Sequence, residues 1–138
     1  MADVRLGLFP ALVALVLTAS AAAAGPVRAT MTTTSASPLV DTAWRYTISA
    51  RDGSGRALRA NVRLQILHGS LVVGCWKRTA IVRCRGANAG TWIPFRGMYS
   101  GVIRWPERAV GEKLVFLATV VVGDRSLRLR APVRVRLP

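Results

Sequence analysis

Two cysteines, Cys75 and Cys84, are the only thiols of the chain, and each lies in a short run of β-forming residues. A hairpin centred between Thr79 and Ala80 would place them opposite each other, at a Cα separation of roughly 4.5 Å that a disulfide tolerates. The alternative is a pair of metal ligands, for which the single histidine, His68, is the remaining candidate partner. The spacing favours a Cys75–Cys84 disulfide and no metal site.

A row of arginines near the C-terminus is the second pattern that could serve a chemical function. Arginine recurs there at alternate positions: Arg128, Arg130, Arg134 and Arg136. Alternate residues of a strand share one face, so the row predicts a cationic strip that can follow an extended anionic polymer. A solvated row that protects a sheet edge from aggregation is the competing interpretation. Pro132 predicts an edge strand or a bulge, and a bulge would turn the second pair of arginines to the other face.

Aromatic residues are concentrated in one stretch, which contains Trp92, Phe95, Tyr99 and Trp105. If these rings were exposed together, they would form a platform for stacking sugar rings. If they were buried, they would fill the core at one end of a sandwich, since aromatic residues contribute strongly to core burial.

Catalytic patterns are not found in the sequence. The acidic residues Asp52 and Asp124 adjoin glycines in turns, and Glu107 and Glu112 flank a predicted connection. His68 lacks the context of a nucleophile elbow. We therefore predict a non-enzymatic protein without a cofactor. A small hydrolase would require two of these carboxylates, or His68, in one pocket.

The chain is strongly basic, with 20 basic and 6 acidic residues and a net charge of +14. All the basic residues except Lys77 and Lys113 are arginine. The charge predicts an anionic partner such as nucleic acid, acidic lipid or an acidic wall polymer. The codon usage of a high-GC genome also enriches arginine, so composition alone is the second explanation.

Residues 6–24 are apolar except for Thr18 and Ser20 and end in small residues, which predicts a secretory signal peptide over residues 1–24. Cleavage as late as residue 29 also fits the pattern, and an uncleaved anchor helix is the alternative. We expect a secreted protein without a transmembrane anchor after cleavage. Residues 25–38 are predicted to be a flexible linker, and residues 39–138 a single domain.

Period-two alternation of apolar and polar residues dominates the predicted domain. Residues 44–67 are predicted to form a β-hairpin with its turn at residues 52–55. Residues 114–122 are apolar on both faces, which predicts a strand that is covered on each side. The expected core includes Trp44, Ile48, Leu64 and Phe116.

About seven short strands separated by turns predict an all-β, immunoglobulin-like antiparallel β-sandwich, with a small Greek-key barrel as the alternative. The residues Trp44, Tyr46, Ile48, Asp52, Gly55, Leu64, Gln65, Ile66, Val110, Gly111, Leu114 and Phe116 carry a resemblance to a known family. Their pattern is similar to that of short exported Ig-like proteins of high-GC actinobacteria. The resemblance implies a bacterial Ig-like domain, and it brings no functional residues with it.

These patterns together predict an interaction or structural module at the cell exterior. The alternative is a module that binds polyanions through the arginine row or glycans through the aromatic stretch. The expected partner is an anionic cell-surface polymer or another protein.

Overall fold

The computed structural model describes residues 25–77 and 80–138. The signal peptide predicted for residues 1–24 lies outside the described residues. Nine β-strands make up most of the described residues. They are β1 (Arg28–Thr33), β2 (Ala43–Arg51), β3 (Arg59–His68), β4 (Leu71–Lys77), β5 (Ala80–Arg83), β6 (Ile93–Arg96), β7 (Met98–Arg104), β8 (Leu114–Val122) and β9 (Arg125–Val133). A short 3-10 helix, Glu107–Ala109, precedes β8.

The strands form two antiparallel layers packed face to face. One layer has the order β1-β2-β7, and the other has the order β5-β4-β3-β8-β9. The short strand β6 pairs with one half of β3 and then turns into β7, so it connects the layers. The predicted all-β antiparallel sandwich is therefore confirmed, with nine strands rather than about seven.

The core lies between the layers and is centred on aromatic residues. The ring of Phe116 packs edge-on against Trp44, with centroids 5.3 Å apart, and lies 4.9 Å from the ring of Tyr46. Trp44, Ile48, Leu64 and Phe116 are all at most 1% exposed, which confirms the predicted core. Alternation produces this arrangement because every second residue of β2 and β3 points to the same face.

The strand pairing predicted for the hairpin over residues 44–67 is wrong, although its turn at residues 52–55 is present, with the Gly55 amide donating to Asp52 O. β2 pairs with β1 and β7, whereas β3 pairs with β4, β6 and β8. The connection between β2 and β3 crosses from one layer to the other, and only the bridge between Arg51 and Ala57 joins its two ends. Both strands bury one apolar face, and in a sandwich these faces meet across the core instead of side by side.

The linker predicted for residues 25–38 is largely ordered structure. Arg28–Thr33 forms β1, which pairs with β2 over its whole length. The next residues cross to the other layer, where the Arg134 and Arg136 amides donate to the carbonyls of Ala36 and Pro38. Trp44 Nε1 also donates to Ser35 O at 2.7 Å. Backbone pairing compensates here for the small number of apolar side chains.

β8 is buried on both faces, as its sequence predicts. It lies between β3 and the edge strand β9. The pairing of β8 with β9 continues without a shift through Pro132, which lies opposite Val115. Pro132 therefore occupies an edge strand, as expected, and the alternative of a bulge is wrong.

Candidate anion-binding face

The outer face of the second layer, which points away from the main core, carries several of the predicted site residues. Residues opposite each other in antiparallel strands share a face. Arg63 on β3 is therefore level with Thr119 on β8 and with Arg128 on β9. Gln65 and Leu117 form the next level, which continues to Arg130 on one side and to Cys75 on the other.

This outer face has a small core of its own. Gln65, Leu67, Cys75, Leu117 and Thr119 are all buried, although none of them belongs to the cluster between the layers. The loop of residues 84–92 folds back over β3 and contacts Gln65 and Cys75. A second hydrophobic contact region thus lies on the side of the sheet that alternation would leave to solvent.

Two side chains of β3 hold the covering loop by donating hydrogen bonds to its carbonyls. Gln65 Nε2 donates to Ala87 O at 2.9 Å and to Ala89 O at 2.7 Å. The Arg63 guanidinium donates to the carbonyls of Asn88 and Ala87 at 3.3 and 3.4 Å. Buried polar side chains are normally hydrogen-bonded, so these two bonds compensate for the burial of the Gln65 amide.

Arg63 is half-buried between the loop and a tryptophan. Its guanidinium carbon lies 4.6 Å from the centre of the Trp92 ring, in a cation–π contact. Burial lowers the pKa of the Arg63 guanidinium, and the positive charge of Arg128 lowers the same pKa further. The partners of Arg63 are neutral, so it adds positive potential to the face without a compensating carboxylate.

Gly90 allows the loop to approach the sheet closely. Its φ angle is +111°, in the region that favours glycine. A Cβ atom at this position would lie 3.2 Å from Cγ of Arg63 and 3.3 Å from Cβ of Cys75. The glycine therefore permits both the backbone conformation and the close packing.

The predicted Cys75–Cys84 disulfide is present, with its Cα atoms 5.7 Å apart. The pairing around it differs from the prediction, since Cys75 lies opposite Val82 and Lys77 opposite Ala80. Cys84 follows the end of β5 and begins the covering loop. The bond therefore ties the loop to β4 instead of joining opposed residues of a hairpin.

One broad surface depression extends over this face and around the end of the sandwich. Arginines contributed by four separate parts of the chain line it: Arg83, Arg85, Arg104, Arg108, Arg128 and Arg130. Glu112 is the one acidic residue of the lining, and its carboxylate lies 3.1 Å from Nε2 of His68. The depression therefore combines six positive charges with a single carboxylate that already has a partner.

The predicted arginine row divides into two pairs. Arg128 and Arg130 line the depression together with Arg83 and Arg85. Arg134 and Arg136 also point away from the core, because the intervening Val133 and Val135 are buried. They lie beyond the depression, beside residues 36–40, where Arg136 donates to Ser37 O at 3.5 Å. All four arginines share the outer side, but only the first pair lines the depression.

The aromatic stretch does not form one exposed platform. Trp105 is 1% exposed and packs against Trp44 in the main core. Phe95 and Tyr99 are partly buried against that core. Trp92 is 40% exposed and lies apart from them, against Arg63. The four rings therefore cannot stack together on one glycan, and three of them contribute to the core.

Acidic groups give little compensation for the positive charge. Within residues 25–77 and 80–138, the salt bridges are His68–Glu112 and a 4.0 Å contact between Arg104 and Asp41. The same residues hold no cluster of three or more potential metal ligands. They also include no helix that is long and apolar enough to cross a membrane.

Comparisons with known proteins do not assign this chain to a family: no protein-family model matches it, and no curated protein is significantly similar to it.

Proposed function

We propose that the protein is a non-enzymatic interaction module of the bacterial Ig-like kind, which is exported and binds an anionic polymer at the cell exterior. The observation that carries the proposal is the depression lined by six arginines and one paired carboxylate. The Cys75–Cys84 disulfide supports an oxidising environment outside the cytosol.

The arginines lie at the two edges of the second layer, which suits an extended ligand. Arg128 and Arg130 are on its outer face, whereas Arg83, opposite Gly74, is on the other face, and the depression reaches both. Arg83 and Arg85 come from β5 and the start of the covering loop, and Arg128 and Arg130 from β9. Three strands, β4, β3 and β8, lie between these edges, so the backbones of β5 and β9 are separated by four strand spacings of about 4.8 Å. A polymer that follows the depression would meet both groups of arginines in succession.

Arginine is suited to phosphate and carboxylate groups, because its planar guanidinium donates two parallel hydrogen bonds to either of them. Such contacts recognise charge and spacing more than the identity of the sugar or base. We therefore expect broad specificity for phosphodiester polymers. The half-exposed Trp92 adds one stacking surface beside Arg63.

The test is a binding titration of the purified protein with poly(glycerol phosphate) and with single-stranded DNA. If several phosphates are contacted, affinity should fall about tenfold or more between roughly 50 mM and 200 mM salt. The variant Arg83→Gln/Arg85→Gln/Arg128→Gln/Arg130→Gln should lose most of the binding and of its salt dependence.

The control variant removes the same number of charges elsewhere, as Arg28→Gln/Arg56→Gln/Arg59→Gln/Arg96→Gln. It should retain most of the polymer binding, because these arginines lie at one end of the sandwich and not in the depression. If the two variants lost equal amounts of polymer affinity, binding would depend on net charge alone, and the proposed site would be wrong.

A further inference from the structure

One end of the sandwich, where the described chain begins, carries a second group of arginines outside the depression. The start of β1, the β2–β3 connection, the β6–β7 turn and the β8–β9 turn all meet there, as the strand registers require. This entry end carries six arginines: Arg28, Arg51, Arg56, Arg59, Arg96 and Arg125. Its acidic residues are Asp52 and Asp124.

Arginines oppose each other directly at two positions of the entry end. Arg28 lies opposite Arg51 in the pairing of β1 with β2, and Arg59 lies opposite Arg96 in the pairing of β3 with β6. Like charges in directly opposed positions destabilise a sheet. Two such pairs at one end indicate a surface that is adapted to an anionic neighbour.

The acid nearest to these pairs is engaged in the turn. Asp52 Oδ1 accepts hydrogen bonds from the Ser54 hydroxyl and from the amides of Ser54 and Arg56. The Ser54 hydroxyl bond, followed by the Arg56 amide bond, lowers the pKa of this carboxyl. Asp52 therefore stabilises the turn, and it forms no salt bridge with the opposed arginines of the described chain.

The opposite end of the sandwich, unlike the entry end, contains salt bridges. Both salt bridges of the described residues lie there, between His68 and Glu112 and between Arg104 and Asp41. At the entry end, by contrast, the arginines form no salt bridge with either acid of the described residues.

An apolar segment adjoins the entry end in sequence. Residues 6–24 are almost entirely apolar, and the described chain starts at Gly25 and Pro26, next to Gly53 of the β2–β3 connection. Met98, the first residue of β7, is 55% exposed at the same end. Arginines that approach an anionic lipid surface together are attracted to its headgroups.

From these observations we propose that the entry end docks on the surface of an anionic lipid bilayer. The arginines of the opposed pairs, together with Arg56 and Arg125, contact lipid phosphates, and Met98 faces the interface. All these residues belong to the described chain, so the contact does not require that residues 1–24 are retained. With this end on the bilayer, the outer face with the depression stands roughly perpendicular to the membrane and remains open to a polymer.

The experiment compares partitioning of the full chain into phosphatidylcholine vesicles with and without phosphatidylglycerol. Comparing the two compositions isolates the electrostatic contribution from any binding by the apolar segment. Phosphatidylglycerol should increase the partition coefficient of the wild type at least about tenfold, since several arginines approach the surface together. This increase should fall at high salt.

Two variants of equal charge make the test specific. Arg28→Gln/Arg56→Gln/Arg59→Gln/Arg96→Gln should lose most of the phosphatidylglycerol effect, whereas Arg83→Gln/Arg85→Gln/Arg128→Gln/Arg130→Gln should keep it. Thermal unfolding should show that the first variant is at least as stable as the wild type at low salt, because it relieves two repulsive pairs. This result would exclude misfolding as the cause of weaker partitioning.

The proposal is overturned if phosphatidylglycerol has no effect on the wild type, or if the two variants lose equally. It is also overturned if only the variant of the depression loses the effect, because the lipid would then occupy the depression. The polymer titration is independent of these results, so failure of the membrane contact would leave the proposed polymer site intact.

Discussion

The inner face of β3 and β8 is covered by a complete layer of strands, whereas the outer face of the same two strands is covered by one loop. On the inner side, Leu64 and Phe116 meet aromatic residues of β2. On the outer side, the loop of residues 84–92 is held on β3 by Gln65 and Arg63 and on β4 by the disulfide. The comparison shows that equal burial can depend on very different interactions.

The inner face depends on packing, which is insensitive to salt and to reducing agents. The outer face depends on a few hydrogen bonds and one disulfide. Because the covering loop is short, the loss of any one of them should affect much of the loop. We therefore expect the inner face to dominate the free energy of unfolding and the outer face to open locally at lower cost.

The substitution with the largest expected effect is Phe116→Ala on the inner face. Phe116 is completely buried, so its removal leaves a cavity and should lower the free energy of unfolding by about 3–5 kcal/mol. Chemical denaturation measures the change. Val115→Ala, at a half-buried position on the other side of the same strand, is the control and should cost less. If the two substitutions cost the same, the inner face would not dominate stability.

Removal of the disulfide tests the outer face. Cys75→Ala/Cys84→Ala should lower the free energy of unfolding by about 2–3 kcal/mol in the chain-entropy model, because the loop that the bond closes is short. We expect the domain to remain folded while amides of residues 84–92 exchange faster with solvent. Protection of this loop equal to that of the wild type would show that the hydrogen bonds alone hold it.

Gly101→Ala tests the tightness of the inner packing. Gly101 lies opposite Tyr46, and a Cβ atom at this position would overlap the Tyr46 hydroxyl and ring. The substitution should cost about 1–3 kcal/mol because the tyrosine must move. Tyr46→Leu in the same background should recover part of this loss in a double-mutant cycle. Additive losses would mean that the two positions do not compete for space.

Gln65→Ala should produce the most local change. The carbonyls of Ala87 and Ala89 would lose their donor at the sheet, at a cost of about 1–3 kcal/mol. Hydrogen exchange should then increase in the loop and stay unchanged in β2. Thr119→Ala, at a buried polar position of the same face, is the control, since no bond to the loop is removed. Faster exchange throughout β2 would contradict the separation of the two faces.

Local sequence pattern was sufficient to identify the inner core and most of the strands, although it predicted a linker where β1 lies. Alternation placed Trp44, Ile48 and Leu64 correctly, and the apolar run of β8 indicated burial on both sides. It did not identify strand partners, so the β2–β3 connection was wrongly interpreted as a hairpin. A strand with one apolar face gives the same pattern whether its neighbour lies beside it or across the core.

The candidate site was harder to predict from the sequence than the fold. Arg63 and Gln65 occupy positions that normally face solvent, and only the return of the loop over β3 buries them. The lining of the depression combines Arg83 and Arg85 with Arg104, Arg108, Arg128 and Arg130, which are far apart in the chain. Of these, only the alternate spacing of Arg128 and Arg130 had marked a candidate site.

By itself, the sequence determined the all-β character, the two-sided burial of β8, the pairing of the cysteines and the excess of arginine. These properties depend on residue type and on periods of a few residues, which act locally. The tertiary structure decided which strands are neighbours, how the loop after Cys84 covers the outer face, and which arginines converge without acidic partners. Those properties depend on contacts between distant segments, and such contacts are selected only when the whole chain packs.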